Sequence, residues 1–310
     1  MIQENWIHRY WPVDLLTSVA LLLLGSSVVA QTQQNNLSPA ASTQVSQYAG
    51  LDTCKNCHQE IAKEFEKSPH WKTTLGKQGP ESHGCESCHG PGAEHAANGG
   101  DITKIISFKR LSTQESSGRC LACHGEKREQ AHYSSSAHAS NDVGCLDCHS
   151  PHHAKQEQGL LVQGQPQLCY RCHTSTQAEF AKPFRHRVNE GLVQCSDCHN
   201  PHGTGTVRQL RTLPSGDFIC YKCHVDKRGP FVYEHVPVKT EGCSSCHTPH
   251  GSTNPRLLRV SQINLLCLQC HTFPTQGPAG PPHNQAQKYQ ACTMCHEAIH
   301  GSNFSSVFFK

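Results

Sequence analysis

The sequence predicts a chain of short α-helices and loops with little or no β structure, held together by bound groups instead of an apolar interior. Leu, Ile, Val and Phe make up 46 of the 280 residues after position 30, about 16%. That share is below the roughly 20% that a chain needs to build its own core. The formal net charge is only +3, which argues against disorder. The third observation is the presence of 20 Cys and 24 His.

The first 30 residues have the pattern of a secretory signal. Arg9 precedes an apolar stretch at 15–24, and small residues follow up to Ala30, so we expect export and cleavage after Ala30. The alternative is an uncleaved membrane anchor, but the stretch is shorter than the roughly 20 residues that a spanning helix needs. Residues 31–50 are polar and aperiodic and are expected to form a flexible leader. The remaining residues, 51–310, are then the functional domain.

All 20 cysteines belong to ten copies of Cys-x-x-Cys-His, the attachment signature of c-type haem. Two thiols add to the vinyl groups on one edge of the porphyrin, and the next residue offers its imidazole to the iron as proximal ligand. The predicted attachment residues are Cys54, Cys57, Cys85, Cys88, Cys120, Cys123, Cys145, Cys148, Cys169, Cys172, Cys195, Cys198, Cys220, Cys223, Cys243, Cys246, Cys267, Cys270, Cys292 and Cys295. The predicted proximal ligands are His58, His89, His124, His149, His173, His199, His224, His247, His271 and His296.

Three other uses of paired cysteines explain this pattern less well. Zinc sites use Cys-x-x-Cys pairs but do not need a histidine directly after each pair. A disulfide scaffold suits an exported, cysteine-rich chain but gives no reason for the histidines. Thioredoxin-like redox chemistry needs one such motif, not ten. The sequence therefore predicts ten covalently attached haem c groups.

A second set of ten histidines stands in register with the motifs. Four of the even-numbered motifs are followed by a second histidine three or four residues after the proximal one, whereas in odd-numbered motifs it follows after 11 to 14 residues. Surface histidines would not keep this register, so the set predicts a distal imidazole for each iron. The predicted distal ligands are His70, His95, His138, His152, His186, His202, His235, His250, His283 and His300.

Two details of the distal set remain open at this point. Three members have a rival nearby in sequence, and these rivals are interpreted as surface or supporting groups: His83 for His95, His132 for His138 and His153 for His152. Three members, of which one also has a rival, follow their own proximal histidine too closely to reach around the macrocycle, because three residues span at most about 10–11 Å. The hypothesis is that these bind the iron of a neighbouring haem: His152, His202 and His250.

The alternation divides the chain into five dihaem units. From Cys145 the units start 50, 48 and 49 residues apart, which favours an elongated, haem-packed array of repeats. The fold class predicted is that of a multihaem cytochrome c. One modest helix is expected from Glu60 to Leu75, interrupted at Pro69. The last residues, 304–309, fit a frayed end better than a docking tail.

Bis-His ligation limits what the chain can do. An iron with two imidazoles has no open position for a substrate and can only gain or lose an electron. We therefore expect an electron carrier of low potential and not an enzyme. Lys and Arg (27) barely exceed Asp and Glu (24), so a nucleic-acid partner is not expected.

Several motifs resemble the MtrA/DmsE family of periplasmic decahaem cytochromes, and the resemblance extends over residues 51–310. It is tightest at 195–203, 220–230, 234–238, 243–252 and 299–303. The family's distal ligands fall on the same ten histidines, with the loosest match at His283. The resemblance implies a haem wire inside an outer-membrane β-barrel porin, linking periplasmic electron donors or acceptors to an extracellular multihaem cytochrome or terminal reductase. Alternatives are a soluble periplasmic shuttle and a multihaem reductase.

Overall fold

Short helices and loops make up the part of the chain that the computed structural model describes, which is residues 46–74, 84–155, 158–271 and 291–309. Within these ranges the only β pairings are isolated bridges. The predicted fold class, mostly coil with short helices and little β structure, is confirmed. The predicted signal and the leader up to residue 45 lie outside the described residues, as do His83 and His283.

Thirteen α-helices lie in the described ranges, and the longest has 12 residues. They are α1 (Leu51–Cys57), α2 (Gln59–Phe65), α3 (Pro69–Thr73), α4 (Glu86–His89), α5 (Ala93–Ala97), α6 (Thr113–His124), α7 (Ala137–Ser140), α8 (Cys145–Cys148), α9 (Gln167–Tyr170), α10 (Thr174–Phe180), α11 (Cys195–Cys198), α12 (Val236–Thr240) and α13 (Ile263–Cys267). Between them lie 3-10 turns at Ile102–Lys104, Phe108–Arg110, Tyr133–Ser135, Gln158–Leu160, Val207–Gln209, Ile219–Lys222, Val225–Lys227, Cys243–Ser245, Pro255–Leu257 and Cys292–Met294.

Each Cys-x-x-Cys-His motif forms a single helical turn. In nine motifs the backbone N–H of the histidine donates to the carbonyl of the first cysteine at 2.9 or 3.0 Å. In the tenth, His124 ends helix α6. Side chains at positions i, i+3 and i+4 share one face of such a turn. The local structure therefore presents two sulfurs and an imidazole to the same side.

Helix α6 shows how the sequence fixes the position of a motif. Ser112 and Glu115 form a capping box, in which the Ser112 N–H donates to Glu115 Oε2 at 2.8 Å and the Glu115 N–H donates to Ser112 Oγ at 3.2 Å. One turn later, the buried Ser117 Oγ accepts a hydrogen bond from the N–H of Cys145 at 3.3 Å. This bond joins the first half of α6 to α8, and so brings two successive motifs together.

The helix predicted from Glu60 to Leu75 is divided in two, as the proline suggested. Helix α2 ends at Phe65, and Pro69 is the first residue of α3, a position where its missing N–H costs nothing. Phe65 is buried and its ring lies 6.0 Å from that of Trp71. Leu75 lies outside the described residues.

Buried apolar side chains are few and scattered. Among the described residues seven hydrophobic ones are buried, and three of these form one small cluster, which consists of Tyr170, Phe180 and Val188. The Tyr170 hydroxyl donates to Asn189 Oδ1 at 2.8 Å, so even this cluster needs a polar contact to be satisfied. Such a set cannot hold the described residues together by side-chain burial alone.

The expectation of a frayed C-terminus is wrong. The carbonyl of Val307 accepts a hydrogen bond from His296 Nδ1, and the Ala298 N–H donates to the Phe308 carbonyl at 3.0 Å. The ring of Phe309 lies 4.9 Å from that of His296. The terminal segment is therefore attached to the last Cys-x-x-Cys-His motif by backbone hydrogen bonds and ring contact.

Candidate haem-binding sites

The cysteines are arranged in the structure as five neighbouring pairs of motifs. None of the 20 forms a disulfide. Instead, the first cysteine of each odd-numbered motif lies within hydrogen-bonding distance of the first cysteine of the next motif. The pairs are Cys54 with Cys85, Cys120 with Cys145, Cys169 with Cys195, Cys220 with Cys243 and Cys267 with Cys292.

Contacts between cysteines also link one pair of motifs to the next. Cys88 lies close enough to Cys123 to interact with it electrostatically, and the same holds for Cys148 with Cys172. Further along, Cys198 lies near Cys220 and Cys223, and Cys246 lies near Cys267. The ten motifs are therefore neighbours in the order in which they occur in the sequence.

The histidines form ring pairs of nearly constant separation. In nine pairs, one motif histidine lies 5.9–6.4 Å, centroid to centroid, from one member of the predicted distal set. The pairs are His58 with His95, His89 with His152, His124 with His70, His149 with His202, His173 with His138, His199 with His250, His224 with His186, His247 with His300 and His271 with His235. The expected partner of His296 is His283, which lies outside the described residues.

This separation fits two imidazoles on opposite sides of one metal ion. Metal–nitrogen bonds of about 2 Å, added to the distance from each ring centre to its Nε2, put the two centroids about 6 Å apart. In the described residues no group of three or more His, Cys, Asp or Glu could hold a metal on its own. Each pair places two imidazoles where they could hold one metal ion from opposite sides. The residues present fit a c-type haem.

In eight of the nine pairs, the partner comes from a different dihaem unit. The histidine that follows an odd-numbered motif pairs with the next odd-numbered motif, as His138 does with His173. The histidine that follows an even-numbered motif pairs with the preceding even-numbered motif, as His202 does with His149. His152, His202 and His250 follow this rule, which is the arrangement that their short spacing suggested. Among the described residues, one pair lies within a unit, that of His95 with the neighbouring His58.

Backbone carbonyls orient the motif histidines of all five even-numbered motifs. The Nδ1 atoms of these histidines hydrogen-bond to carbonyls farther along the chain, which leaves Nε2 for a metal. The bonds join His89 to Ile106, His149 to Gly159, His199 to Arg208, His247 to Arg256 and His296 to Val307.

Left-handed backbone turns present three of these carbonyls. Arg208 has φ 57° and ψ 23°, and Arg256 has φ 58° and ψ 22°. Gly159, which has φ 72°, stands at the corresponding place in an earlier unit. Non-glycine residues adopt this region at a cost, and such strain is usually found where a group must be aimed. Here the turn aims a carbonyl at a proximal imidazole.

Several distal histidines are held in the same way. The Nδ1 atoms of His138 and His186 hydrogen-bond to the carbonyls of Pro201 and Pro249, at 2.8 and 2.6 Å. Each of these prolines directly precedes another distal histidine in the sequence. Neighbouring sites therefore share their supports, and displacement of one loop would disturb two ring pairs.

Burial favours the neutral form of the paired histidines. Loss of solvent is the leading cause that lowers the pKa of six of them below the ordinary value: His70, His152, His199, His202, His235 and His300. An imidazole must be neutral to donate its ring nitrogen to a metal. The lowered pKa values therefore favour the form in which these side chains could bind a metal.

The structure separates two of the rival histidines from the distal set. His132 and His153 are exposed, whereas His138 and His152 are paired with motif histidines. The His153 ring contacts His152 at 6.0 Å but no motif histidine of the described residues. The third rival, His83, lies outside the described residues. Sequence reasoning missed Glu179, whose Oε2 lies 2.7 Å from Nδ1 of His250, because no motif marks this residue.

No helix of the described residues combines the length and the apolar character needed to cross a membrane.

Two family models match parts of the chain. The model for the doubled CXXCH motif matches residues 138–178, 186–229 and 235–274. The model for cytochrome c554 and c-prime matches residues 94–150. Both matches lie on the part of the chain that carries the motifs and the ring pairs.

A longer match comes from the multihaem cytochrome MtrA of Shewanella baltica. It is 37% identical over 272 residues, which cover 83% of this chain and 80% of the relative. The chain belongs to the MtrA family of multihaem c-type cytochromes. Like other proteins of this family, it serves in electron transfer, and its motifs bind c-type haems covalently.

Two shorter similarities extend beyond the MtrA family. The cytochrome c-type protein NrfB of Escherichia coli is 28% identical over 124 residues, which cover 35% of this chain and 65% of that protein. The high-molecular-weight cytochrome c of Nitratidesulfovibrio vulgaris is 23% identical over 172 residues, which cover 53% of this chain and 28% of that protein.

Proposed function

We propose that the protein binds ten haems, each ligated by two histidines, and carries electrons along them across the outer membrane inside a porin. The observation that carries this proposal is the set of nine histidine ring pairs, separated by 5.9–6.4 Å. His283 and His296 complete the set by elimination, since they are the remaining distal and motif histidines. When bound, haem supplies an iron that accepts and releases single electrons.

The chain's own residues favour electron transfer over substrate chemistry. Two imidazoles at each site would fill both axial positions of a bound haem and leave none for a substrate, so the protein is proposed not to be an enzyme. The hydrogen bonds at Nδ1 hold the histidines of the even-numbered motifs in one orientation and limit rearrangement when the charge of those sites changes. The order of the cysteine contacts supports a path that runs from the first motif to the last.

The location is proposed from the family. The signal pattern of residues 1–30 supports export to the periplasm, and membership of the MtrA family supports association with the outer membrane. The proposed partners are an outer-membrane β-barrel porin, an extracellular multihaem cytochrome, and periplasmic proteins that donate or accept electrons. The described residues bury few apolar side chains, which is consistent with a protein that is enclosed by the wall of a barrel.

The first test counts and characterises the haems of the purified protein. We expect a mass equal to the chain from Gln31 onward plus ten haems, and an electron paramagnetic resonance (EPR) spectrum of low-spin ferric iron. Carbon monoxide should bind to less than one haem per molecule after reduction. Rapid binding of carbon monoxide or nitrite by several haems would instead support a reductase, and fewer than ten haems would contradict the ligand assignment.

The second test concerns location. Outer-membrane detergent extracts should contain the protein together with a β-barrel protein, and liposomes containing both should pass electrons to an enclosed dye. A barrel-only liposome is the control. Recovery of the protein only in the soluble periplasmic fraction, without a barrel, would support the periplasmic shuttle and contradict the porin proposal.

A further inference from the structure

Glu179 gives one ring pair a partner of a different kind. The Nδ1 of His250 donates a hydrogen bond to Glu179 Oε2 at 2.7 Å, and the ring of His250 lies 6.1 Å from that of His199. The other Nδ1 hydrogen bonds described above use backbone carbonyls. A carboxylate is a stronger acceptor than a carbonyl because it is charged. The His199–His250 pair is therefore electrostatically different from its neighbours.

The backbone around Glu179 holds this contact in place. Gly251 approaches so closely that a Cβ atom there would lie 2.1 Å from the Glu179 carbonyl oxygen. On the same loop, Ser252 and Phe184 exchange two backbone hydrogen bonds, at 2.8 and 3.2 Å. The Phe180 ring lies 5.1 Å from that of His250. The carboxylate and the imidazole thus meet because the loop and helix α10 pack together, and not through a chance contact of flexible side chains.

The preceding even-numbered site has the same backbone without the carboxylate. There Gly203 approaches the His132 carbonyl, at 2.6 Å from an added Cβ, as Gly251 approaches Glu179. The distal histidine at this site, His202, has a buried Nδ1 with no hydrogen-bond partner among the described residues. The nearby Glu129 is ion-paired with Arg211 at 2.9 Å. The fold is repeated, but the charged partner of the histidine is not.

We propose that Glu179 lowers the reduction potential of the haem held by His199 and His250. A carboxylate on Nδ1 draws the proton toward itself and makes the imidazole a stronger electron donor, which stabilises the oxidised iron. This inference rests on the proposed bis-His ligation. The reduction potentials then differ along the series of haems, because the His199–His250 site is harder to reduce than the corresponding His149–His202 site.

The size of the effect follows from the exposure of the two groups. The Glu179 and His250 side chains are 45% and 33% exposed, so solvent screens part of the interaction. We expect Glu179→Gln to shift the reduction equilibrium of one haem about tenfold toward the reduced form. For a one-electron couple this shift corresponds to about 59 mV. The amide oxygen of glutamine can still accept from Nδ1, so the loop geometry is retained.

The experiment is a redox titration of the purified holoprotein, followed by EPR at low temperature. The rings of His199 and His250 are inclined at 47°, between the near-parallel and near-perpendicular pairs, so we expect a haem held by them to give its own EPR signal. That signal should titrate at a higher potential in Glu179→Gln. The control is Glu241→Gln, which removes the same charge from an exposed position and should leave the titration unchanged.

The outcomes distinguish this inference from the proposed function. Ten low-spin haems with an unchanged titration in Glu179→Gln would overturn the role of Glu179 alone. High-spin sites or missing haems in the unaltered protein would overturn the proposed ligation itself. If Glu179→Gln does not accumulate, Glu179→Asp is the second variant. Its shorter side chain withdraws the carboxylate, and it should shift the same signal in the same direction by a smaller amount, with no shift counting against the proposal.

Discussion

Replacement of His138 by alanine tests which haem each distal histidine serves. In sequence, His138 follows the His124 motif, and the simplest expectation would assign it to that site. In the structure its ring lies 6.1 Å from that of His173 instead. His138→Ala should therefore open one coordination position at the His173 site and none at the His124 site.

The magnitude of this change follows from the structure. One haem in ten should become high-spin, and one carbon monoxide should bind per molecule after reduction. The variant also loses the hydrogen bond from His138 to the Pro201 carbonyl, which is 2.8 Å long and contributes about 1 kcal/mol. A loss of this size leaves a typical domain folded. The high-spin fraction in the EPR spectrum and a carbon monoxide titration measure the outcome.

A double variant identifies the haem that is affected. Cys169→Ala together with Cys172→Ala removes attachment at the His173 motif, and mass analysis should then count nine haems. In this background His138→Ala should add no site for carbon monoxide. If it still creates one, His138 serves the His124 site and the pairing described above is refuted. His132→Ala, an exposed neighbour, is the matched control and should bind no carbon monoxide in either background.

Three further predictions concern the other contacts of the array. Gly251→Ala should lower the free energy of unfolding by about 2 kcal/mol, because the new Cβ would overlap the Glu179 carbonyl, 2.1 Å away. Denaturant unfolding measures this change. The control is Gly205→Ala, which should be nearly neutral because nothing lies within 4 Å of the added Cβ. Arg256→Gly should raise stability by about 1 kcal/mol by relieving the left-handed backbone (φ 58°), whereas Arg256→Pro should lower it, since proline cannot adopt a positive φ; equal effects of the two variants would contradict the argument. Besides the separate signal expected from the His199–His250 site, the EPR spectrum should contain two groups of low-spin signals. Parallel imidazole planes such as those of His235 and His271 (15°) split the iron orbitals more than near-perpendicular planes such as those of His186 and His224 (69°). A spectrum with one uniform signal would be inconsistent with these ring angles.

The sequence was sufficient for whatever depends on local spacing. A Cys-x-x-Cys-His segment closes a single turn through its own backbone, so the position of His199 relative to Cys195 requires no tertiary information. The regular spacing of the second histidine set from the motifs identified His138 and His152 as members of ring pairs. It left their exposed neighbours, His132 and His153, outside the set.

Features that depend on distant contacts could not be predicted. The pairing of His138 with His173 arises because successive units pack against each other, and no property of the intervening residues indicates it. Arg256 adopts a left-handed conformation that its residue type does not favour, since the loop must aim its carbonyl at His247. The C-terminal segment was misjudged for the same reason. The carbonyl of Val307 accepts a hydrogen bond from His296 Nδ1, and this contact forms only when the chain folds.

The exchange of histidines between units has a consequence for how such chains can lengthen or shorten. Every internal unit contributes one imidazole to the following unit and one to the preceding unit, and its own two motif histidines pair with one imidazole from each of these neighbours. After insertion or deletion of a whole internal unit, every motif histidine would still have a partner from a neighbouring unit. Insertion or deletion of half a unit would leave some histidines without a partner. Only the ends need special arrangements, and His95, which turns back to His58 within its own unit, is one of them. Growth by duplication should therefore proceed in steps of two haems.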